Sequence, residues 1–149
     1  MNQRIPLALA AVLMLAGCSG TAPELGVNNG RLTPCPKTPN CVNSQAEDEK
    51  HAIEPIVVAA APQKTRDRLL KVVAAEKRAE IVRAEKDYIR TTFRSAFFGF
   101  VDDVEFYISG QRKDNTVVHV RSASRIGHSD LGVNRKRVER IRKKLLENN

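Results

Sequence analysis

Four strand-like segments with turn signals between them follow one another in the second half of the chain. They are predicted at residues 80–84, 88–94, 101–109 and 116–122, and each contains β-branched or aromatic residues. Strands of this spacing joined by short loops predict an antiparallel meander, in which neighbours along the chain pair with one another. This pattern limits the chain to folds in which other elements cover one face of such a sheet.

Two further segments carry apolar residues at helical spacing. The first is predicted from Pro62 to about Ala75, with an apolar stripe of Leu69, Leu70 and Val73. The second is predicted from Asn134 to about Leu146, with a stripe of Val138, Ile141 and Leu145. A short apolar run at 53–58 adds a candidate strand before the first helix. The predicted fold class is α+β: a curved antiparallel sheet of four to five strands with two helices packed on one face.

The last two strands can be aligned as a hairpin closed by residues 110–114. One register sets Asp103 opposite Arg121 and Glu105 opposite His119 on the polar side. The same register sets apolar side chains against each other on the other side, namely Val104, Phe106 and Ile108 against Val120, Val118 and Thr116. All seven aromatic residues fall between Tyr88 and Tyr107, which predicts the centre of the core in that part of the chain.

The N-terminus carries the features of an export signal. Residues 1–17 combine an early Arg4 with an apolar run that is too short to span a bilayer, which needs about 20 residues. The signal ends in Leu15-Ala16-Gly17-Cys18, which resembles the lipobox of bacterial lipoproteins. The resemblance implies acylation of Cys18, whereas an ordinary cleaved signal is the alternative.

The lipobox resemblance also implies a location. Ser19, which follows the cysteine, indicates the periplasmic face of the outer membrane in lipoproteins of this type. Residues 18–31 are small and polar and are interpreted as a lipidated flexible tether. The remaining residues, 32–149, are predicted to form a single domain.

The charge of the chain is concentrated near its C-terminus. Nine basic and two acidic residues lie between Arg121 and Lys144, whereas the rest of the chain after the signal is balanced. Such a segment favours anionic partners, and a solvated helix face is the alternative. Nucleic acid is a poor candidate because the chain is predicted to be exported and no aromatic residues alternate with the basic ones.

Two cysteines remain if Cys18 is acylated. Cys35 and Cys41 lie in a proline-rich segment, and an oxidising compartment makes a disulfide between them the expectation. A redox or metal-binding pair is the alternative, although redox pairs usually read Cys-x-x-Cys and His51 is too isolated to complete a zinc site. The sequence therefore predicts neither a metal nor a cofactor.

The stretch from Arg121 to Arg137 contains the densest collection of functional groups, and three interpretations of it stay open. An anion site is the first, because guanidinium groups and hydroxyls precede the start of a helix; its candidates are Arg121, Ser122, Ser124, Arg125, Ser129, Asn134 and Arg135. A small hydrolase is the second, with Ser122 or Ser124 as nucleophile near His128 and Asp130, although the Gly-x-Ser-x-Gly motif is missing.

A structural latch is the third interpretation of this stretch. Acidic residues would then hold the basic ones and fix the last helix to the sheet, with Asn134 as the helix N-cap. The acidic candidates are Asp102, Asp103, Glu105 and Asp130.

Three blocks of sequence carry a family resemblance. The first block contains Pro34-Cys35-Pro36 and Pro39-Asn40-Cys41-Val42, the second is Asp102-Asp103-Val104-Glu105-Phe106, and the third begins with Arg121-Ser122-Ala123-Ser124-Arg125. Together these blocks resemble domain-of-unknown-function family 1499, whose members are small bacterial and plastid-type proteins of unassigned biochemistry. The resemblance implies one compact domain and supplies no activity. We therefore expect a non-enzymatic, membrane-anchored periplasmic module that binds an anionic lipid, a cell-wall component or a protein partner.

Overall fold

A computed structural model describes residues 20–112 and 114–147. The predicted signal peptide and Cys18 lie outside these residues. The described part is α+β, with two helices and a six-stranded antiparallel sheet. A separate two-stranded hairpin precedes the sheet and consists of β1 (Val27–Asn28) and β2 (Arg31–Leu32). This hairpin lies at the end of the segment that was interpreted as a tether.

The sheet is built around its longest neighbouring strands, β7 (Val101–Arg112) and β8 (Asn115–Ser124). On one side of β7 lie β6 (Tyr88–Arg94) and then β5 (Ala79–Ala84). The other edge of β8 pairs with two short strands in succession, β3 (Cys41–Asn43) and β4 (Ile56–Val58).

The strand count differs from the four to five that were predicted. The sheet has six strands because the far edge of β8 is shared by β3 and β4. Each of these has three residues, which is too short to show the alternation that identifies a strand in a sequence. Of the candidate strand at 53–58, only Ile56–Val58 pairs with β8.

The predicted register of the last hairpin was wrong by two residues. Glu105 lies opposite Arg121, and Asp103 lies opposite Ala123. Tyr107, rather than Glu105, lies opposite His119. A shift by two residues keeps every side chain on its face, because side chains alternate with a period of two. The alternation of residue types therefore could not distinguish the two registers.

The helices cover one face of the sheet. They are α1 (Pro62–Ala74) and α2 (Val133–Glu147), and both contribute to a single apolar core. The predicted stripe of α2 is confirmed, because Val138, Ile141 and Leu145 have no exposed surface. In α1, Leu69 and Val73 of the predicted stripe are fully buried. Val72 is the third buried apolar residue, whereas the predicted Leu70 is only partly buried at the edge of the core.

The aromatic residues do not all mark the core. Phe93 and Phe106 are buried, but Phe97, Phe98 and Phe100 lie on the turn between β6 and β7 and are exposed. The prediction that the centre of the core lies in this part of the chain is confirmed for its strands, because Ile89, Phe93, Val104 and Phe106 belong to the core. The three phenylalanines of the turn lie outside the core, because the side chains of a turn point away from the layers.

The disulfide between Cys35 and Cys41 is confirmed, with the two Cα atoms 5.7 Å apart. It closes the loop that leads into β3, where Cys41 is buried against the sheet. None of the helices that the structure describes is long and apolar enough to cross a membrane.

Candidate functional site

The acidic run at the start of β7 supplies two separate polar clusters, one on each face of the sheet. Successive side chains of a strand point to opposite faces. Asp102 therefore lies on the side of the helices with Val104, and Asp103 and Glu105 lie on the opposite side. We call the two groups the helix-side cluster and the far-face cluster.

The helix-side cluster consists of Asp102, Ser122, Asn134 and Arg137. The guanidinium group of Arg137 donates hydrogen bonds to Asp102 Oδ2, to Ser122 Oγ at 3.1 Å and to Asn134 Oδ1 at 2.6 Å. The hydroxyl group of Ser122 donates a hydrogen bond to Asn134 Oδ1. The same guanidinium group stacks 4.7 Å from the ring centroid of Phe93. All four residues are buried, so the group joins α2 to the centre of the sheet.

Asn134 also connects this cluster to the start of β3. Its Nδ2 donates to the backbone oxygen of Asn40 at 3.1 Å and to Ser124 Oγ at 3.0 Å. The prediction that Asn134 is the N-cap of the last helix was wrong, because α2 begins at Val133 and the Asn134 side chain points into the cluster.

Asp130 supplies the hydrogen bonds at the start of α2. Its carboxylate accepts from the backbone N–H of Gly132 at 3.0 Å and from that of Asn134 at 2.7 Å. Its backbone oxygen accepts from the N–H of Val133 at 3.0 Å. These are the N–H groups that a helix leaves without internal partners.

The far-face cluster is centred on Asp103. Arg90 and Arg125 each donate two hydrogen bonds to its carboxylate, at distances between 2.7 and 3.1 Å. Burial by itself would raise the pKa of Asp103. The hydrogen bonds from Arg125 and Arg90 outweigh burial and hold this pKa below its ordinary value of 3.8. The ionised form of Asp103 is therefore part of the folded state.

Glu105 lies beside this arrangement on the same strand. It accepts hydrogen bonds from Arg121 at 3.2 Å and from the Tyr88 hydroxyl at 2.8 Å, and it has no exposed surface. Burial raises the pKa of Glu105, and the two hydrogen bonds oppose that shift only in part. Burial and the neighbouring Glu105 also raise the pKa of Tyr88.

The residues predicted for an anion site are divided between the two faces. Arg121 and Arg125 are engaged by carboxylates on the far face, whereas Ser122, Ser124 and Asn134 bond one another on the side of the helices. The sheet lies between the two groups, so these five residues do not converge on one ligand.

The remaining two candidates for the anion site lie near the surface. Ser129 Oγ accepts a hydrogen bond from the backbone N–H of Leu131 at 3.3 Å. Arg135 donates to the backbone oxygen of Lys50 at 3.3 Å. Each is thus part of the local packing at the start of α2.

The two serines proposed as nucleophiles are occupied by structural hydrogen bonds. Ser122 is fully buried, and Ser124 accepts from Asn134. Neither serine bonds to His128, which is exposed on the loop before α2. Within residues 20–112 and 114–147, no three His, Cys, Asp or Glu side chains are placed to hold a metal ion.

Most cations of the C-terminal segment are paired with carboxylates from other parts of the chain. Arg140 and Lys144 both bind the buried Glu76 at the end of α1, at 2.8 and 2.6 Å. Burial would raise the pKa of Glu76, but the hydrogen bonds from Arg140 and Lys144 lower it on balance. Five of the nine cations of the segment thus bind four carboxylates from elsewhere in the chain, which offsets part of its charge surplus.

A surface groove on α1 retains positive charge. It has a volume of about 700 Å³, and its lining includes one acid and several cations: Lys64, Asp67, Arg68, Lys71 and Lys144. Val72 and Ala75 contribute apolar surface to its lining.

Sequence reasoning missed several participants in the two clusters. Arg137 was placed outside the buried stripe of the last helix, yet it is buried and central to the helix-side cluster. Its spacing was a usable signal, because it lies three residues after Asn134 and four residues before Ile141, which places it on the same face of the helix. Arg90 and Tyr88 gave no such signal, because their partners depend on the order of the strands.

The fold and its two clusters define a small α+β domain whose central polar side chains bind one another. Residues 31–145 match the model of a family described as "Protein of unknown function (DUF1499)". The chain belongs to this family. Comparison with curated proteins and with solved structures gave no match.

Proposed function

We propose that this chain is a non-enzymatic, lipid-anchored module on the periplasmic face of the outer membrane, and that it binds an anionic component of the cell envelope. The observation that carries the binding proposal is the basic groove on α1. The stretch from Arg121 to Arg137 then acts as the structural latch, because its side chains already bind one another and the acids of β7.

The cations of the groove are regularly spaced along α1. Lys64, Arg68 and Lys71 follow at intervals of four and three residues, so they lie along one face of the helix. Lys144 is added from α2, where it is hydrogen-bonded to Glu76. Lys64 and Lys71 form no ion pair with any residue that the structure describes. A row of cations over apolar surface favours an extended anion, such as a phosphorylated or carboxylated glycan.

A charge-reversal experiment on the full-length lipoprotein in nanodiscs tests this proposal. The double variant K64E/K71E is compared with K37E/K86E, which changes the net charge equally at exposed lysines outside the groove. The probes are polyphosphate and acidic cell-wall fragments. We expect K64E/K71E to weaken binding at least about thirtyfold, because each surface lysine contributes about 1 kcal/mol near an anionic partner. The control variant should retain most of the binding.

Two results would contradict the groove as the binding site. One is equal weakening by both double variants, which would show a general effect of charge. The other is the absence of wild-type binding to either probe at low salt, where surface electrostatics are strongest.

The anchor is tested separately by mass spectrometry of the protein purified from membranes. We expect acyl chains on Cys18. The C18S variant has no thiol to acylate and should be released from the membrane fraction, because stable anchoring requires more than one acyl chain. An unmodified Cys18 would contradict the anchor without affecting the groove.

A further inference from the structure

The turn between β6 and β7 exposes three phenylalanine side chains. Phe97 is 93% exposed, Phe98 is 74% exposed and Phe100 is 41% exposed, and the rings of Phe98 and Phe100 stack with their centroids 5.4 Å apart. Gly99 between them has a φ of 67°, which the turn requires and other residues rarely adopt. Large apolar side chains concentrated on an exposed turn mark an interaction site, because water contact with them is unfavourable.

The loop before α2 lies at the same end of the sheet. The first residues of β7 pair with the last of β6 and of β8, as in Arg94 with Val101 and Asp102 with Ser124. The turn 95–100 and the loop 125–132 therefore emerge side by side. This loop carries Leu131, which is 87% exposed. We call this group of exposed residues, Phe97, Phe98, Phe100 and Leu131, the apolar end.

The described chain also begins at this end of the domain. A Cβ atom placed on Gly20 would lie 3.0 Å from Arg125 Cβ and 2.9 Å from Ile126 Cγ2, so Gly20 packs against the loop before α2. Cys18 is outside the described residues but precedes Gly20 by only two positions in the sequence. Two residues of chain span at most about 7 Å. An acyl anchor on Cys18 would thus attach close to the apolar end.

Two arginines flank the aromatic turn. Arg94 is the last residue of β6, and Arg78 lies beside it, with Arg78 Nε donating to the Arg94 backbone oxygen at 3.2 Å. Both are exposed, and neither forms an ion pair within the part of the chain that the structure describes. Glu80 is the acid on the adjacent surface. Arginines bordering exposed aromatic rings fit a lipid interface, where the rings meet acyl chains and the cations meet phosphates.

We propose that the apolar end inserts into the interfacial region of the bilayer that holds the acyl chains of Cys18. The proposal rests on the lipid anchor of the proposed function. The partner is a lipid surface, because the phenylalanines, the bordering arginines and the position of Gly20 all point to the same side. The anchor and the aromatic turn would then form two contacts that fix the orientation of the domain on the membrane.

The absence of tryptophan from the sequence allows a direct test. Phe98→Trp introduces a single tryptophan at the aromatic turn, where the side chain is mostly exposed and the substitution is conservative. Lys86→Trp is the matched control at the opposite end of the sheet, in the turn between β5 and β6. Each full-length lipoprotein is reconstituted in vesicles of phosphatidylethanolamine and phosphatidylglycerol with brominated acyl chains, which quench tryptophan at short range.

We expect a blue-shifted emission and a strong loss of fluorescence for F98W, and an unshifted, unquenched emission for K86W. Unquenched F98W in protein that co-floats with the vesicles would overturn the proposal, and it would assign the phenylalanines to a protein partner instead. Equal quenching of F98W and K86W would also overturn it, because the domain would then lie on the membrane without a preferred end.

A further readout separates failure of the insertion from failure of the anchor. Mass spectrometry of the same samples reports the acylation of Cys18. Acylated protein with an unquenched F98W contradicts only the insertion. Unacylated protein contradicts the anchor, and quenching of F98W in that sample still supports insertion of the aromatic turn by itself.

Discussion

Arg137 of α2 and Asp102 of β7 form an ion pair across 35 residues of sequence, with side chains that are 8% and 12% exposed. The pair connects the first turns of α2 to the central hairpin of β7 and β8. Arg137 also donates hydrogen bonds to Ser122 and Asn134. A buried pair of this kind contributes little net stability compared with an apolar replacement, but it cannot lose one partner without a large cost.

Replacement of Arg137 by methionine should destabilise the domain by about 3–5 kcal/mol, because Asp102 would remain buried without its cation. Urea unfolding followed by far-UV circular dichroism measures the loss. Lys136→Ala is the control on the same helix, because Lys136 is exposed, and its effect should stay within about 0.5 kcal/mol. A similar, small loss of unfolding free energy in both variants would show that the ion pair between Arg137 and Asp102 is not required for stability. The double variant D102N/R137M should recover part of the loss.

The stability of the domain should fall on acidification partly through Asp103. Its pKa in the folded protein lies below the ordinary value of 3.8, so the unfolded chain binds more protons in this pH range. The contribution of Asp103 is therefore present above the unfolded pKa, near pH 4, and is lost as the pH falls through the folded pKa. Urea unfolding of wild type and D103N between neutral and acidic pH measures this dependence.

The D103N variant should be less stable than wild type near neutral pH, and the difference should narrow below about pH 4. D114N is a matched control, because Asp114 is an exposed carboxylate in the turn between β7 and β8. A difference between wild type and D103N that does not change with pH would argue against ionised Asp103 as the group responsible.

Asp130→Ala should destabilise the domain by about 1 kcal/mol, since the backbone N–H groups of Gly132 and Asn134 would lose their acceptor at the start of α2. His128→Ala, on the exposed part of the same loop, should have a much smaller effect. Thermal unfolding compares the two variants. An unchanged midpoint for D130A would mean that solvent satisfies these N–H groups equally well.

Loss of the disulfide should cost about 2 kcal/mol, because the loop between Cys35 and Cys41 is short and its closure entropy is small. The C35A/C41A variant and wild-type protein kept in reductant should show the same loss in urea unfolding. A much larger loss in the variant alone would indicate that packing of the buried Cys41 side chain, rather than loop closure, is the main contribution.

Local patterns in the sequence were sufficient for the fold class and for several interior positions. The stripe of Val138, Ile141 and Leu145 was found because helical spacing reports directly which face is buried. The pairing of Cys35 with Cys41 followed from the compartment that the N-terminus implies. The family was likewise recognised from short blocks, and the match over residues 31–145 confirms it.

The clusters could be predicted only in part. The acids of β7 and the arginines of β8 were identified as candidates for a latch, but their partners were assigned through the wrong register. The same limitation hid Arg90 and Tyr88, which reach Asp103 and Glu105 from the neighbouring strand β6. The register of two strands decides which charged side chains lie opposite each other. Registers that differ by two residues keep each side chain on the same face, so the alternation of residue types does not distinguish them.

The sequence alone determined which residues alternate, which helical faces are apolar and where the charges and cysteines lie, because these properties depend on neighbours along the chain. Only the tertiary structure decided that Arg137 meets Asp102, that Arg140 and Lys144 bind Glu76, and that three phenylalanines remain outside the core. These outcomes depend on packing between distant segments. Local patterns are compatible with several such arrangements, and the burial of one continuous core selects among them.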